Sequence, residues 1–134
     1  MELAKIVVRY ANGRIIKGYT QNFFPNRPSF HIRPIYPEAS NETVEVLVED
    51  LKALFFVRDF TGDPQHRDEK EFPPGVKISG RKVEVAFKDG EVMIGYTLGY
   101  DSKRPGFFLF PCDPKCNNEK VFVVSQAVNK VRYI

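Results

Sequence analysis

The stretch that decides the fold is residues 5–20, which read KIVVRYANGRIIKGYT and recur at residues 82–97 as KVEVAFKDGEVMIGYT. Apolar residues alternate at the start of each stretch, which is the period of a strand with one buried face. Each run leads into Asn12-Gly13 or Asp89-Gly90. Both dipeptides are strong hairpin signals, because the favoured two-residue turn needs positive φ at both central positions. Each stretch therefore predicts a β-hairpin.

The repeat extends well beyond these hairpins. When the sequence is shifted by 77 positions, residues 5–57 lie on residues 82–134 without a gap, and 15 of the 53 aligned pairs are identical. A gapless match of that length in so short a chain indicates duplication of one folding unit. We therefore predict two domains, residues 1–57 and 82–134, joined by an ordered connector at residues 58–81.

Each unit contains enough strand signals for a small barrel. Gly18 and its counterpart Gly95 lie inside the second strand, where glycine marks a sharp bend or a close backbone approach. In the first unit, a third strand follows at residues 29–33, a fourth at 43–48, a single turn at 49–53 and a fifth strand after it. We predict an all-β chain of two tandem five-stranded SH3-like or Sm-like barrels, each with a short helical or 3₁₀ turn before its last strand.

Composition limits the setting in which the protein works. The formal net charge of +3 neither demands nor excludes an anionic partner. No apolar run approaches the roughly 20 residues that a membrane-spanning helix needs. Residues 1–5 lack the basic region and apolar stretch of a signal peptide. We expect a cytoplasmic protein with no membrane contact.

The two cysteines, Cys112 and Cys116, lie four positions apart in one loop. Four-coordinate zinc needs two further ligands, and the sequence holds only two histidines. The repeat places Ile35 and Ala39 at the corresponding positions, and neither residue binds metal. We expect reduced thiols, with no metal and no cofactor, and a local disulfide or an intermolecular metal site as the alternative.

Catalytic motifs are missing from the sequence. It has no phosphate-binding glycine loop, no nucleophile elbow and no zinc-binding helix motif. An acid pair of Asp101 and Asp113 is conceivable, but the repeat replaces these residues with Phe24 and Tyr36. We therefore expect a protein that is not an enzyme.

The loop before each third strand holds the candidate binding residues. It carries an aromatic residue followed by Arg-Pro in both units. Small barrels have open strand edges and aromatic grooves that capture extended peptides, so we predict protein or peptide binding. The alternative is that Arg-Pro stiffens the loop and the aromatic residue caps the barrel. The candidate residues are Phe23, Arg27 and Pro28 in the first unit, and Tyr100, Arg104 and Pro105 in the second.

A second candidate surface is an apolar face that only the second unit has. Polar or charged residues of the first unit, His31, Arg33 and Glu45, are replaced there by phenylalanines. Two interpretations stay open: the connector or the first barrel covers this face, or the face is a homodimer or partner surface. The residues concerned are Phe108, Phe110 and Phe122.

Residues 83–101 resemble the first half of the Sm signature, with an alternating strand, a glycine hairpin, Gly95 and then Tyr100-Asp101. The resemblance implies a small barrel. It also implies RNA binding, although Arg104 and Pro105 stand where that family contacts the base. Single-stranded nucleic-acid binding is therefore the alternative function. Its charge-plus-stacking set would be Lys17, Arg27, Arg33, Lys103 and Arg104 with Phe23, Tyr100 and Phe108.

The longer pattern RPGFFLFPCDPKCNN at residues 104–118, with VFVV at 121–124, is similar to an uncharacterised family of bacterial domains. Members of that family are sometimes attached to response-regulator or cyclic-dinucleotide signalling proteins. The resemblance implies a bacterial tandem-barrel module with a binding or regulatory role.

Overall fold

The computed structural model describes residues 3–35, 42–61, 80–113 and 116–134. Within these ranges the chain is all-β, with ten strands and two single 3₁₀ turns, and no helix is long and apolar enough to cross a membrane. The first half consists of β1 (Ala4–Tyr10), β2 (Ile15–Thr20), β3 (Ser29–Pro34), β4 (Val44–Leu47), a 3₁₀ turn (Val48–Asp50) and β5 (Leu51–Val57). The second half consists of β6 (Arg81–Phe87), β7 (Val92–Thr97), β8 (Gly106–Pro111), β9 (Asn118–Val124), a 3₁₀ turn (Ser125–Ala127) and β10 (Val128–Tyr133). Most of the expected connector, residues 62–79, lies outside the described residues.

The two hairpins form where the sequence predicts them, but their turns differ from the expected type. Tyr10 N donates to Arg14 O over 2.8 Å and Gly13 N donates to Tyr10 O over 3.0 Å, and the second hairpin has the same two bonds. Only the glycine has positive φ, 94° at Gly13 and 95° at Gly90, and no described residue other than glycine does. This is a three-residue loop with a left-handed glycine, so the predicted two-residue turn is wrong.

The ten strands form one open antiparallel sheet in the order β10-β6-β7-β8-β9-β5-β1-β2-β3-β4. Two closed barrels are therefore not confirmed. After the first 3₁₀ turn, β5 pairs with β1 on one side and with β9 of the other half on its second side. Because β5 is occupied on both sides, it is not available to pair with β4, and the first half stays open.

The β5–β9 pair, which we call the seam, separates two hydrophobic cores. Alternate residues of each seam strand point to opposite faces, so both strands contribute to both cores. The core of the first half takes in Phe122 and Val124 from β9. The core of the second half takes in Ala53, Phe55 and Val57 from β5. Each half thus completes its core with side chains from the other half.

Gly18 and Gly95 are sites of close backbone approach, as the sequence predicts. A Cβ atom at Gly18 would collide with the carbonyl group of Arg33 on β3. A Cβ atom at Gly95 would collide with the carbonyl group of Phe110 on β8 in the same way. Both glycines let the third strand of each half cross close to the second.

Candidate functional site

Five phenylalanines pack together beside the seam and form what we call the seam cluster. Phe23 is at its centre, with ring centroids 5.2 Å from Phe30, 5.9 Å from Phe56, 6.4 Å from Phe108 and 5.0 Å from Phe122. These contacts are edge-to-face, the arrangement that favours aromatic pairs. Phe23 and Phe56 come from the first half, and Phe108 and Phe122 from the second. The seam cluster therefore joins the two halves.

This packing places several predicted surface residues in the interior. Phe122 is fully buried, and Phe108 is half-buried against the core of the first half. Phe23, expected to lie on an exposed binding loop, is half-buried among them. Phe110 lies apart from the seam cluster and stacks on Tyr96 with ring centroids 5.1 Å apart. The first half of the chain thus covers Phe108 and Phe122.

The two Arg-Pro loops have the same backbone anchoring. The amide of Arg27 donates to Phe24 O, and the amide of Arg104 donates to Asp101 O, both over 3.1 Å. Each loop is also tied to the chain around its 3₁₀ turn through the proline carbonyl. Pro28 O accepts from Val48 N, and Pro105 O accepts from Ser125 N, both over 2.9 Å. Backbone hydrogen bonds therefore hold both residues of each Arg-Pro pair in place.

Arg104 and Pro105 line a groove of about 640 Å³, which we call the Arg104 groove. Five of the predicted residues share it, and Leu98 lies beside them with 68% of its surface exposed. The floor is mainly aromatic. The lining residues are Pro25, Asn26, Thr97, Leu98, Gly99, Asp101, Arg104, Pro105, Gly106, Phe107, Phe108, Phe110 and Phe122.

A second groove of about 570 Å³ lies on the other side of Arg104 and Pro105. It brings Pro28 of the first half together with Pro105 of the second, and it is also lined by Leu47 and Gln126. Phe23, Arg27 and Tyr100 line neither groove. Tyr100 instead packs edge-on against Phe107, with ring centroids 4.9 Å apart.

The arginines of the two loops differ in what surrounds their charge. The guanidinium of Arg27 lies over the ring of Phe24, 4.7 Å from its centroid. The guanidinium of Arg104 makes no ion pair, hydrogen bond or ring contact with any residue that the structure describes. Asp101, which also lines the Arg104 groove, accepts a hydrogen bond from the backbone amide of Lys103 over 2.9 Å. Arg104 therefore presents at the groove a guanidinium that no described residue binds, with the carboxylate of Asp101 on the same groove.

Other cations of the nucleic-acid set are engaged within the chain. Lys17 Nζ donates to Phe60 O over 3.0 Å. The guanidinium of Arg33 lies 5.6 Å from the centroid of the Tyr19 ring. With Arg27 over Phe24, three of the five candidate cations have intramolecular partners. These contacts orient the three cations without neutralising them, because neither an aromatic ring nor a backbone carbonyl carries a negative charge.

Leu98 is the most exposed large hydrophobic residue of the Arg104 groove, and the sequence did not lead us to predict it. It occupies the position of Gln21 in the first half, so a comparison of the two loops would have shown that an apolar residue replaces a polar one. The exposed apolar side chain of Leu98 lies beside the phenylalanines of the Arg104 groove and extends the apolar surface there. Lys52 was missed as well, because its ion pairs join distant parts of the sequence.

The cysteine loop places both of its thiols in the interior. Cys112 and Cys116 are buried and form no disulfide. Across the described ranges, no three His, Cys, Asp or Glu side chains come together as metal ligands. Cys116 accepts a hydrogen bond at Sγ from the amide of Asn118 over 3.4 Å. Both thiols line a cavity of about 590 Å³ beside Met93 and Leu109.

Fold and site together define an all-β protein built on one open antiparallel sheet, with an aromatic groove beside the strand pair that joins its halves. The chain belongs to a family of unknown function, DUF6982, whose model matches residues 2–134. Neither the curated proteins nor the solved structures gave a match to the chain.

Proposed function

We propose that this protein is a non-enzymatic binding module that holds a short segment of a protein partner in the Arg104 groove. The observation that carries the proposal is the guanidinium of Arg104, which no described residue binds, next to an aromatic floor. Such a pairing suits a peptide with an apolar side chain for the floor and a carboxylate for the arginine. A carboxylate binds a guanidinium through two parallel hydrogen bonds, which gives affinity and orientation.

The dimensions of the groove support this proposal. Its volume of about 640 Å³ lies in the range of sites that hold small ligands or a few side chains. The hydrogen bond from Ser125 Oγ to Arg104 O, 2.8 Å long, helps to hold the loop in place. A groove whose walls are already ordered loses little conformational entropy when a peptide binds.

The fold supports a wider proposal about the origin of the chain. The bounds of β1, β2 and β3 recur 77 residues later in β6, β7 and β8. The side-chain bond from Thr20 Oγ1 to His31 O recurs as the bond from Thr97 Oγ1 to Phe108 O. We propose that both halves descend from one small SH3-like or Sm-like barrel unit, and that the module works in a bacterial cytoplasm.

Selection from a displayed library of random peptides on the immobilised full chain tests the binding function. We expect the enriched peptides to combine apolar residues with Asp or Glu. The affinities of synthetic peptides are then compared between the wild type and Arg104→Ala. Loss of the carboxylate contact should weaken binding at least about tenfold, which corresponds to about 1.4 kcal/mol.

Arg27→Ala is the matched control, because Arg27 is the counterpart of Arg104 in the repeat and lies outside the groove. It should bind the selected peptides as the wild type does. Equal affinities of Arg104→Ala and the wild type would exclude the proposed contact between a peptide carboxylate and Arg104. If no peptide is enriched and an oligothymidine binds at low salt, single-stranded nucleic-acid binding replaces peptide binding as the proposed function. Contacts with phosphate groups are strongest at low salt, so that is where such binding should be seen.

A further inference from the structure

The sheet ends in two strands whose outer edges pair with no strand among the described residues, β4 at one end and β10 at the other. An unpaired edge presents a row of N–H and C=O groups that is able to pair with another strand. We propose that β10 of one copy of this chain pairs with β4 of a second copy, so that chains associate head to tail. The inference does not depend on the Arg104 groove.

The seam already contains this contact once within the chain. A shift of 77 residues carries β4 onto the end of β9, and β5 onto β10. In the seam, β5 and β9 are antiparallel, with Leu54 opposite Phe122. The same register between two copies places Val131 of one copy opposite Glu45 of the other. The free edges of two copies are thus the same pair of surfaces that meet in the seam.

Exposed apolar residues occupy the edge positions that the seam buries. Leu47 on β4 is 40% exposed, whereas its counterpart Val124 in the seam is 1% exposed. Ile134 after β10 is 53% exposed, whereas its counterpart Val57 is 7% exposed. Pairing of β10 with β4 would cover Leu47, whereas Ile134 lies just beyond the paired residues. The apolar surface left at the edges therefore fits a second copy of the chain.

The charges of the two edges are complementary. Residues 42–50, which include β4 and the first 3₁₀ turn, contain four carboxylates and no cation. Residues 128–134, which include β10, contain two cations. Arg132 pairs with Glu84 of β6 over 3.0 Å, and Lys130 is exposed. In the seam the second 3₁₀ turn contacts β5, so its counterpart, the acidic first turn, would contact β10 of the neighbouring copy. Opposite charges on the two edges favour β10–β4 pairing over β4–β4 or β10–β10 pairing.

The contact between copies is more polar than the seam. Glu45 stands where the seam has Phe122, and Arg132 stands where it has Phe55. Fewer apolar contacts make the association reversible, so it should depend on protein concentration and weaken with salt. Because the two edges differ, the contact is heterologous, and it produces either a closed ring or an open chain of copies.

Sedimentation of the full chain over a concentration series tests the proposal. The mass at low salt should rise above that of the monomer as concentration increases, and added salt should reverse the rise. Leu47→Glu blocks the β4 edge. Lys130→Glu blocks the β10 edge, because it places a carboxylate on the exposed β10 residue that would lie opposite Val46 of acidic β4. Each variant alone should stay monomeric, whereas an equimolar mixture should form a dimer and nothing larger, because it has one usable β10 edge and one usable β4 edge.

Ile15→Glu is the matched control, since Ile15 is an exposed isoleucine on β2, away from both edges. It should associate as the wild type does, and the thermal midpoints of all variants establish that they are folded. A wild type that stays monomeric up to its solubility limit at low salt would overturn the proposal. So would a Leu47→Glu variant that still forms dimers, because its contact would have to be symmetric through β10.

Discussion

Lys52 of β5 and Asp89 of the β6–β7 hairpin form an ion pair between the two halves of the chain, with 2.6 Å between Nζ and Oδ2. Lys52 also pairs with Glu91, and its Nζ lies 4.8 Å from the centroid of the Phe87 ring. Tyr10 pairs with Leu51 and Arg9 with Ala53, so Lys52 is the extra residue of a β-bulge. A bulge redirects a side chain, and here it directs the lysine to the other half.

Replacing Lys52 with methionine should lower the free energy of unfolding by about 1 kcal/mol. Methionine keeps the apolar stem that packs near Phe87 and removes the charge that binds the two carboxylates. The effect is modest because Asp89 and Glu91 are about half exposed and become hydrated again. Urea unfolding of the wild type and the variant measures this change in the free energy of unfolding. Lys88→Met, which removes an exposed lysine of the same hairpin, is the control and should leave the stability unchanged.

The stabilising effect of this ion pair should depend on pH. Burial acts to lower the pKa of Lys52, but the hydrogen bonds and charges of Asp89 and Glu91 outweigh it and raise this pKa above 10.5. The hydrogen bond from Lys52 is the main cause that lowers the pKa of Asp89 below 3.8. The contribution of Asp89 is therefore present above pH 3.8 and lost as pH falls through its folded-state pKa. That of Lys52 is present below pH 10.5 and lost as pH rises through its raised pKa.

Unfolding of the wild type and Lys52→Met across a pH series checks this dependence. The difference in their stability should be constant near neutral pH and shrink at both extremes. Lys88→Met should follow the wild type throughout. A difference that persists undiminished well below pH 3.8 would mean that the carboxylates are not the partners of Lys52.

Truncating Phe122 to alanine should destabilise the protein by about 3–5 kcal/mol, because it leaves a cavity in a packed core. Its ring lies 5.0 Å from Phe23 and 5.3 Å from Phe108, so both halves lose contacts. Thermal or chemical unfolding measures the loss. Phe24→Ala is the matched control, since Phe24 is exposed and contributes mainly its contact with Arg27, at most about 1 kcal/mol. Equal losses in the two variants would contradict the buried seam cluster.

Gly95→Ala should cost about 1–3 kcal/mol, because the added methyl group meets the backbone carbonyl of Phe110 and forces β7 and β8 apart. Gly99→Ala is the control. A Cβ atom at Gly99 would have no atom within 4 Å, and the φ of Gly99 is not positive. The stability of the Gly99→Ala variant should therefore be unchanged or slightly higher. Denaturant midpoints compare the two variants. A wild-type midpoint for Gly95→Ala would show that the strands do not approach closely there.

Local sequence patterns predict the strands of the two hairpins well. The alternation of Val83, Val85 and Phe87 indicates one buried face, and all three side chains are buried in β6. The glycines of both hairpins were also found at the turn, although Asn12 and Asp89 keep negative φ. Asn12 instead accepts a hydrogen bond from the amide of Arg14 over 2.9 Å, a local contact that needs no positive φ.

The seam strand β5 was predicted less well, for a physical reason. The expected turn at residues 49–53 is instead a 3₁₀ turn at Val48–Asp50, and the strand begins at Leu51. Leu51–Val57 carries almost no alternation because it lies between two cores and is buried on both faces. A strand of that kind is not distinguished from a short buried helical turn by periodicity alone.

The sequence by itself determined the all-β class, the hairpins and the correspondence of the two halves, because these depend on short-range periodicity and on glycine at turns and close approaches. Only the tertiary structure decided the pairing of β5 with β9, the burial of Phe23 beside Phe122 and the position of Arg104 at a groove where no described residue binds its charge. These features depend on which strands meet across more than 60 residues of chain. Many strand orders satisfy the same local pattern, and the packing of two shared cores selects among them.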